Sequence, residues 1–219
     1  MKIISVVTGV VFVIVLLCLY RRPAVVPVDV GIGIDTSGSA RPHLSRYLLQ
    51  ASRFTANLEP GEDLLTLYRV DYETQEFYRD RVRGGREAAL TRFLAEVTRL
   101  PARSRTLPEV FWREAVKRSE NSARPVALLY FSDGDNDDMS AQSNAALRAL
   151  AARLAANKHV VCVAMIGVNT ANSAYWNDCF ACLGDRFVIS GENDISVDAA
   201  LERLDKARDA VRQQKQQQK

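Results

Sequence analysis

Three oxygen-bearing side chains at alternate positions follow the first apolar strand that the sequence predicts. Asp35, Ser37 and Ser39 alternate with other residues in the stretch Asp35-Thr36-Ser37-Gly38-Ser39. Carboxylate and hydroxyl oxygens are the ligands that small divalent cations prefer. Asp and Ser are also frequent in turns and at helix N-termini, so this stretch alone is compatible with either a cation site or an ordinary strand-to-helix loop.

Two later segments bring further oxygen ligands. Thr106 lies in the loop Arg105-Thr106-Leu107-Pro108, and Asp133 follows a second apolar strand in Ser132-Asp133-Gly134. The order Asp-x-Ser-x-Ser, then Thr, then Asp-Gly resembles the von Willebrand factor type A (vWA) domain family and its metal-ion-dependent adhesion site (MIDAS). The resemblance extends from about Val28 to about Arg208.

The resemblance implies a ligand set and a function. Ser37, Ser39 and Thr106 are expected to bind Mg²⁺, or Mn²⁺ or Ca²⁺, through their hydroxyls, while Asp35 and Asp133 act largely through bound waters. A carboxylate of a protein partner then completes the coordination. Neutral hydroxyl ligands fit this role on physical grounds, because they leave the cation electrophilic and one position open. Ser132, where the family more often has threonine, is a departure from its pattern.

Strand-like and helix-like segments alternate along the chain and must position these residues. The alternation predicts an α/β fold with a doubly wound, mostly parallel sheet, one antiparallel edge strand and helices on both faces, as in vWA and other Rossmann-like domains. In such sheets ligands bind beyond the carboxyl ends of the strands, where the strand order reverses. The predicted strands are Val28–Ile34, Leu64–Asp71, Thr74–Tyr78, Val126–Phe131, His159–Gly167 and Arg186–Ile189, and the predicted helices are His43–Asn57, Glu87–Thr98, Glu109–Arg118, Ala141–Ala156 and Ile195–Arg212.

An apolar run precedes the domain. Residues 3–20 carry no charge and are about long enough for a transmembrane helix, with Arg21 and Arg22 directly after them. No small-x-small cleavage site follows, so an uncleaved single-pass anchor is favoured over a cleaved signal peptide. The predicted organisation is an anchor at 3–20, a linker at 21–27, a vWA domain at 28–212 and a polar tail at 213–219. The flanking charges nearly balance, so the positive-inside rule gives little information about orientation. A domain outside the cytoplasm is slightly favoured, because the modules that the sequence resembles commonly meet their partners there.

Composition and motifs argue against several other functions. A net charge of +3 is too small to indicate nucleic-acid binding. The chain has only two histidines and no nucleophile elbow, so we expect no enzyme. One alternative is a Mg²⁺-dependent phosphatase-like enzyme with Asp35 as nucleophile, although Ser37 stands where such enzymes need a second aspartate. Another alternative is a scaffold of the same fold that binds its partner without metal.

Two short motifs leave their roles open. Cys179 and Cys182 form a single Cys-x-x-Cys, compatible with packing, with a disulfide in an oxidising compartment, or with redox or metal chemistry. The acidic stretch from Asp135 to Asp138 is interpreted as a cap for the following helix, with tuning of metal affinity as the alternative. An EF-hand loop is excluded because Asp138 and Asn144 stand where glycine and glutamate are required.

Overall fold

The computed structural model describes residues 25–82, 90–93, 95–96 and 106–217. Strands and helices alternate over most of this range. The strands are β1 (Asp29–Asp35), β2 (Leu64–Val70), β3 (Thr74–Arg81), β4 (Val126–Phe131), β5 (Val160–Val168) and β6 (Phe187–Gly191). The helices are α1 (Leu44–Ala56), α2 (Pro108–Glu120), α3 (Ala141–Ala156), α4 (Thr170–Cys179) and α5 (Asp198–Gln217), with short 3-10 helices at Arg41–His43 and Ala181–Arg186. Residues 90–93 and 95–96 are also helical; the rest of the helix predicted at Glu87–Thr98 lies outside the described residues.

The described strands form one sheet in the order β3-β2-β1-β4-β5-β6. All neighbouring strands are parallel except β2 and β3, which are antiparallel and place β3 at an edge. The chain winds outward from β1 in one direction and then returns to β4 to wind in the other. The doubly wound sheet and its antiparallel edge strand are therefore confirmed.

Helices cover both faces of the sheet, and the first strand shows why. On one face Val30, Ile32 and Ile34 pack into a core with α1 and α5. On the other face, a Cβ on Gly33 would lie 2.6 Å from the ring of Phe111, so glycine allows α2 to approach closely. Among the described residues, both core clusters consist of residues between Val28 and Leu204.

Buried ion pairs join distant elements below the site. Arg118 on α2 bonds to Asp29 at the start of β1, and Arg208 on α5 bonds to Asp63 just before β2. Asp63 also accepts hydrogen bonds from the backbone N–H groups of Val28 and Glu59. These contacts hold the amino ends of β1 and β2 to the helices on either face.

The structure differs from the sequence-based prediction at two elements. Helix α4 and the 3-10 helix after it occupy a stretch expected to be only a connection, and they contain Cys179 and Cys182. Both cysteines are free; Cys179 is buried and Cys182 exposed. Helix α5 also continues through Gln217, past the predicted end at Arg212, because the glutamine-rich end contains good helix formers and no helix breaker.

The predicted anchor at residues 3–20 lies outside the described residues. Among the described helices, none combines the length and apolar character needed to cross a bilayer.

Candidate functional site

The candidate site lies at the carboxyl ends of the central strands. Asp35 is the last residue of β1, and Ser132 and Asp133 directly follow β4, its parallel neighbour. The strand order reverses between these two strands, since the chain leaves β1 toward β2 and later enters β4 on the other side. This is the crevice where open α/β sheets bind ligands.

Asp35 is completely buried, and both of its carboxylate oxygens accept hydrogen bonds. Oδ1 accepts from the backbone N–H of Ser37 at 2.9 Å, and Oδ2 accepts from the Ser132 hydroxyl at 2.8 Å. The first bond shapes the loop after β1, and the second joins that loop to the end of β4. Asp35 therefore lies behind the loop as a negative charge, with its oxygens already engaged.

The hydroxyls of Ser37 and Ser39 belong to the loop that this carboxylate holds through the backbone N–H of Ser37. Their Oγ atoms are 3.3 Å apart; Ser37 is buried and Ser39 exposed. Ser39 also lies near Asp133 and lowers the pKa of its carboxyl, and Oδ1 of Asp133 accepts a hydrogen bond from the backbone N–H of Asp135 at 3.1 Å. The structure thus brings four of the five predicted ligand residues together: Asp35, Ser37, Ser39 and Asp133.

Thr106, the fifth residue, lies at the same edge of the sheet and is buried. Its backbone N–H bonds the carboxylate of Asp137, and its carbonyl accepts from the N–H of Asp137 at 3.1 Å. The next residue, Leu107, donates its N–H to the carbonyl of Asp71, directly after β2, at 3.0 Å. The threonine loop is therefore held between the end of β2 and the loop after β4.

Burial makes the two carboxylates of the site costly to ionise. Desolvation, opposed mainly by the hydrogen bond from Ser37 and reinforced by the charge of Asp133, raises the pKa of Asp35 to about 7. Desolvation also raises the pKa of Asp133 above its ordinary value, although its hydrogen bond with Ser39 opposes the change. A cation near these carboxylates would offset that cost.

The donor set fits a hydrated divalent cation. Adjacent ligands of an octahedral ion with bonds of about 2.1 Å lie about 3 Å apart, and for bonds of about 2.4 Å the separation is about 3.4 Å. The observed 3.3 Å between the hydroxyls of Ser37 and Ser39 is compatible with both cases. In addition, the buried Tyr47 hydroxyl has no hydrogen-bond partner among the described residues and lies in the field of Asp35 and Asp133. Within the described ranges, no group of three or more His, Cys, Asp or Glu side chains could hold a metal ion, so a cation at this site would depend on hydroxyl ligands.

Sequence reasoning missed the residues that shape the loop after β4. Gly134 has φ +82°, and its carbonyl accepts from Trp176 Nε1 at 2.8 Å. Asp135 accepts hydrogen bonds from the side-chain amides of Asn169 and Asn172 at 3.2 and 2.7 Å. The Asp-Gly pair was a visible signal for a turn, but these partners come from α4 and from Asn169, the residue that caps its start.

The interpretation of the acidic stretch as a helix cap needs correction. Ser140 is the N-cap of α3, and its side chain accepts from the backbone N–H of Ser143. Asp138 accepts from the N–H of Ser140, while Asp135 and Asp137 bind the neighbouring loops. Most of the stretch therefore fixes loops around the site, because these carboxylates meet backbone and amide donors from other elements.

The sheet order, the edge strand and the position of the crevice define a vWA fold. A von Willebrand factor type A protein from Catenulispora acidiphila superposes with a TM-score of 0.59 at 17% identity, covering 84% of this chain and 42% of that one. The PilB minor pilin from Streptococcus sanguinis gives 0.56 at 10% identity, with 90% of this chain and 63% of the pilin covered. An aerotolerance-related membrane protein from Bacteroides fragilis gives 0.56 at 13% identity, covering 84% and 99%.

The chain thus spans less than two thirds of the length of the first two of these structures. No family model and no curated protein matches it. At these identities the comparisons establish the fold, and the chemistry of the site has to be argued from the residues themselves.

Proposed function

We propose that this chain is a protein-binding module that engages its partner through a divalent cation, Mg²⁺ or alternatively Mn²⁺ or Ca²⁺, at the MIDAS-like site. One observation carries the proposal. The hydroxyls of Ser37 and Ser39 lie 3.3 Å apart in a loop that the buried Asp35 carboxylate holds, and both oxygens of this carboxylate accept hydrogen bonds. Ser37, Ser39 and Thr106 are the proposed direct ligands. Asp35 and Asp133 supply negative charge and hold the ligand loops.

The role of each residue follows from its contacts. Asp35 is fully buried and accepts hydrogen bonds from Ser37 and Ser132, so its proposed role is to orient the loop that carries Ser37 and Ser39 and to supply negative charge from behind it. Ser39 lies close enough to Asp133 to lower the pKa of that carboxyl, and a hydroxyl that turns its proton toward a carboxylate keeps its lone pairs available to a cation. When bound, the cation supplies a Lewis-acidic position for a carboxylate of the partner.

Two exposed apolar side chains support a protein partner. Tyr72 directly follows Asp71, which bonds the threonine loop, and Met139 lies two residues after Asp137, which bonds the same loop. Their exposed fractions are 45% and 56%. Exposed aromatic and Met side chains are enriched in protein interfaces. The proposed partner therefore combines an acidic side chain with apolar contacts beside it.

Metal binding is tested by calorimetry on the full chain, purified in detergent, with Mg²⁺ and Mn²⁺. Ser37→Ala is expected to weaken binding at least about tenfold, because it removes a direct ligand. Ser45→Ala, an exposed serine on α1, is the matched control and is expected to leave affinity unchanged. Equal affinities for Ser37→Ala and the unaltered chain would refute the site.

Partner binding is tested by co-purification from membranes with and without chelator. Loss of the partner in chelator, and with Ser37→Ala, supports the proposal. Retention of the partner under both conditions favours the metal-independent scaffold instead. Tyr72→Ser and Met139→Ser are expected to weaken partner capture but not metal affinity. Leu49→Ser, which alters a side chain 66% exposed on α1, is the control.

The phosphatase-like alternative has less support. A nucleophilic carboxylate must reach its substrate, whereas Asp35 is fully buried with both oxygens hydrogen-bonded. We therefore propose a non-enzymatic role. Hydrolysis of a generic phosphate ester in Mg²⁺ that disappears with Asp35→Asn would reverse this conclusion.

The apolar run at residues 3–20 supports a membrane anchor, and the domain is proposed to lie outside the cytoplasm. Resistance to alkaline extraction from membranes tests the anchor. The exposed free thiol of Cys182 tests orientation, because a membrane-impermeant maleimide should label it in intact cells. Labelling only after lysis would place the domain on the cytoplasmic side.

A further inference from the structure

A groove of about 720 Å³ lies at the amino ends of β1, β4 and β5. The candidate metal site lies at the other end of the strands, their carboxyl ends. The end of α5 forms one wall of the groove. The surface of the groove is mostly apolar, and the groove is also lined by long cationic side chains. The residues that line it are Val26, Pro27, Ala123, Arg124, Pro125, Lys158, His159, Val161, Ala207, Ala210, Val211, Gln214 and Lys215.

The groove carries positive charge and no negative charge. Arg124, Lys158 and Lys215 are part of its lining, and no lining residue is acidic. Among the described residues, no carboxylate lies within salt-bridge distance of these three cations. The adjoining cavity does contain Asp185, but this residue faces Arg203 at 3.6 Å. Arg124 donates a hydrogen bond to the carbonyl of Glu62 at 2.8 Å, which leaves its charge uncompensated. The three cations can therefore attract an external anion.

The position of the groove suggests which anion it meets. Val26 and Pro27, which line it, are among the first described residues, and Arg21 and Arg22 precede them in the sequence. An extended chain rises at most about 3.6 Å per residue, so Val26 lies within about 20 Å of Tyr20, where the apolar run ends. The groove is thus tethered close to any bilayer that the run enters.

We propose that this groove rests against an anionic phospholipid surface, with Arg124, Lys158 and Lys215 facing the headgroups and the apolar floor meeting the interface. Clustered Lys and Arg next to a membrane-inserted segment bind anionic lipids electrostatically. This surface is independent of the metal site. It determines how the domain is oriented on the membrane.

The test uses residues 25–219, which contain every residue of the two described core clusters and lack the apolar run. Cooperative urea unfolding first verifies that this fragment is folded. Co-sedimentation is then measured with phosphatidylcholine vesicles, with and without about one third phosphatidylglycerol. The fragment is expected to bind only the anionic vesicles, and to be released as salt rises from about 0.1 M to about 0.5 M.

Two triple variants locate the binding surface. Each cation near an anionic bilayer contributes about fivefold, so Arg124→Gln/Lys158→Gln/Lys215→Gln should weaken binding about 100-fold. The matched control, Arg46→Gln/Arg113→Gln/Arg148→Gln, removes the same charge from exposed positions outside the groove. It should weaken binding only slightly.

Three results would overturn the proposal. Equal losses in the two triple variants would mean that net charge, not this groove, drives binding. Equal binding to neutral and anionic vesicles would remove the electrostatic basis. If the folded fragment binds neither the neutral nor the anionic vesicles, the groove has another occupant, such as an acidic protein segment. All measurements are made in chelator, and Ser37→Ala should bind vesicles normally, so failure of the metal site does not affect the result.

Discussion

Replacing Asp35 by asparagine separates the cost of the buried carboxylate from its benefit to metal binding. Asparagine has nearly the same shape, and its Oδ1 can still accept the hydrogen bond from Ser37. Its amide can donate to the Ser132 hydroxyl, which already accepts from Gly134. The main change is therefore the loss of an ionisable group at a fully buried position.

The expected magnitude follows from the pKa of Asp35, which burial raises from an ordinary 3.8 to about 7. Below about pH 4 this carboxyl is protonated in both the folded and the unfolded chain. As pH rises toward 7 the unfolded chain loses the proton first, so the folded state becomes progressively less favourable. The difference corresponds to about 4 kcal/mol at pH 8 in the absence of metal. Asp35→Asn should therefore be more stable than the unaltered chain at pH 8, by up to that amount, and of similar stability at pH 4.

The assay is urea unfolding in chelator at several pH values, followed by the fluorescence of the buried Trp112 and Trp176. A parallel series contains Mg²⁺ at about 100 times its dissociation constant. There the unaltered chain should gain about 2.7 kcal/mol. Asp35→Asn should gain much less, because the charge behind the serine hydroxyls is missing. The reasoning is wrong if Asp35→Asn is the less stable protein in chelator at pH 8, or if the difference between the two proteins does not change with pH.

Three further substitutions, one of them with a matched control, test the loops of the site and a buried ion pair at the amino ends of the strands. Gly134→Ala should lower the free energy of unfolding by about 3 kcal/mol, since φ is +82° and the new Cβ would lie 2.7 Å from a neighbouring side chain. Gly61→Ala has the same φ in open space and should cost only about 1 kcal/mol; equal urea midpoints would contradict this. Asp137→Ala should weaken Mg²⁺ binding about tenfold in calorimetry, because it releases the loop that carries Thr106. The unfolding midpoint should stay nearly unchanged. Unchanged Mg²⁺ affinity would argue against Thr106 as a ligand. Arg208→Ala should cost about 3–5 kcal/mol in urea unfolding by leaving Asp63 buried without its cation, and a loss below 1 kcal/mol would contradict it.

Much of the fold was predictable because the buried strands are short apolar runs with polar residues at their ends. Asp35 and Asp133 each end such a run, and the carboxyl ends of neighbouring parallel strands must meet at one edge. Their proximity therefore followed from the element pattern. Thr106 was harder, because a loop residue has no periodic pattern to fix its position. Its contact with Asp137 joins residues 31 positions apart in sequence.

Helix α4 was missed for a related reason. Its sequence, Thr-Ala-Asn-Ser-Ala-Tyr-Trp-Asn-Asp-Cys, buries only Trp176 and Cys179, so no apolar stripe marks it as a helix. Asn169 caps its start by accepting from the N–H of Asn172. The helix matters to the site, since Trp176 bonds the carbonyl of Gly134. Weakly patterned elements can thus be structurally important when a single long side chain connects them to a functional loop.

The two proposed surfaces lie at opposite ends of the same strands. β1 runs from Asp29, near the groove, to Asp35 in the metal site, and seven residues at about 3.3 Å each place its ends about 20 Å apart. This separation exceeds the screening length of about 10 Å at 0.1 M salt, so lipid charge at the groove should not alter cation affinity. If the amino ends of the strands rest on the bilayer, the loop that carries Ser37 and Ser39 faces away from the membrane. A partner would then reach the metal site from the aqueous side, and its carboxylate would not compete with lipid phosphates for the cation.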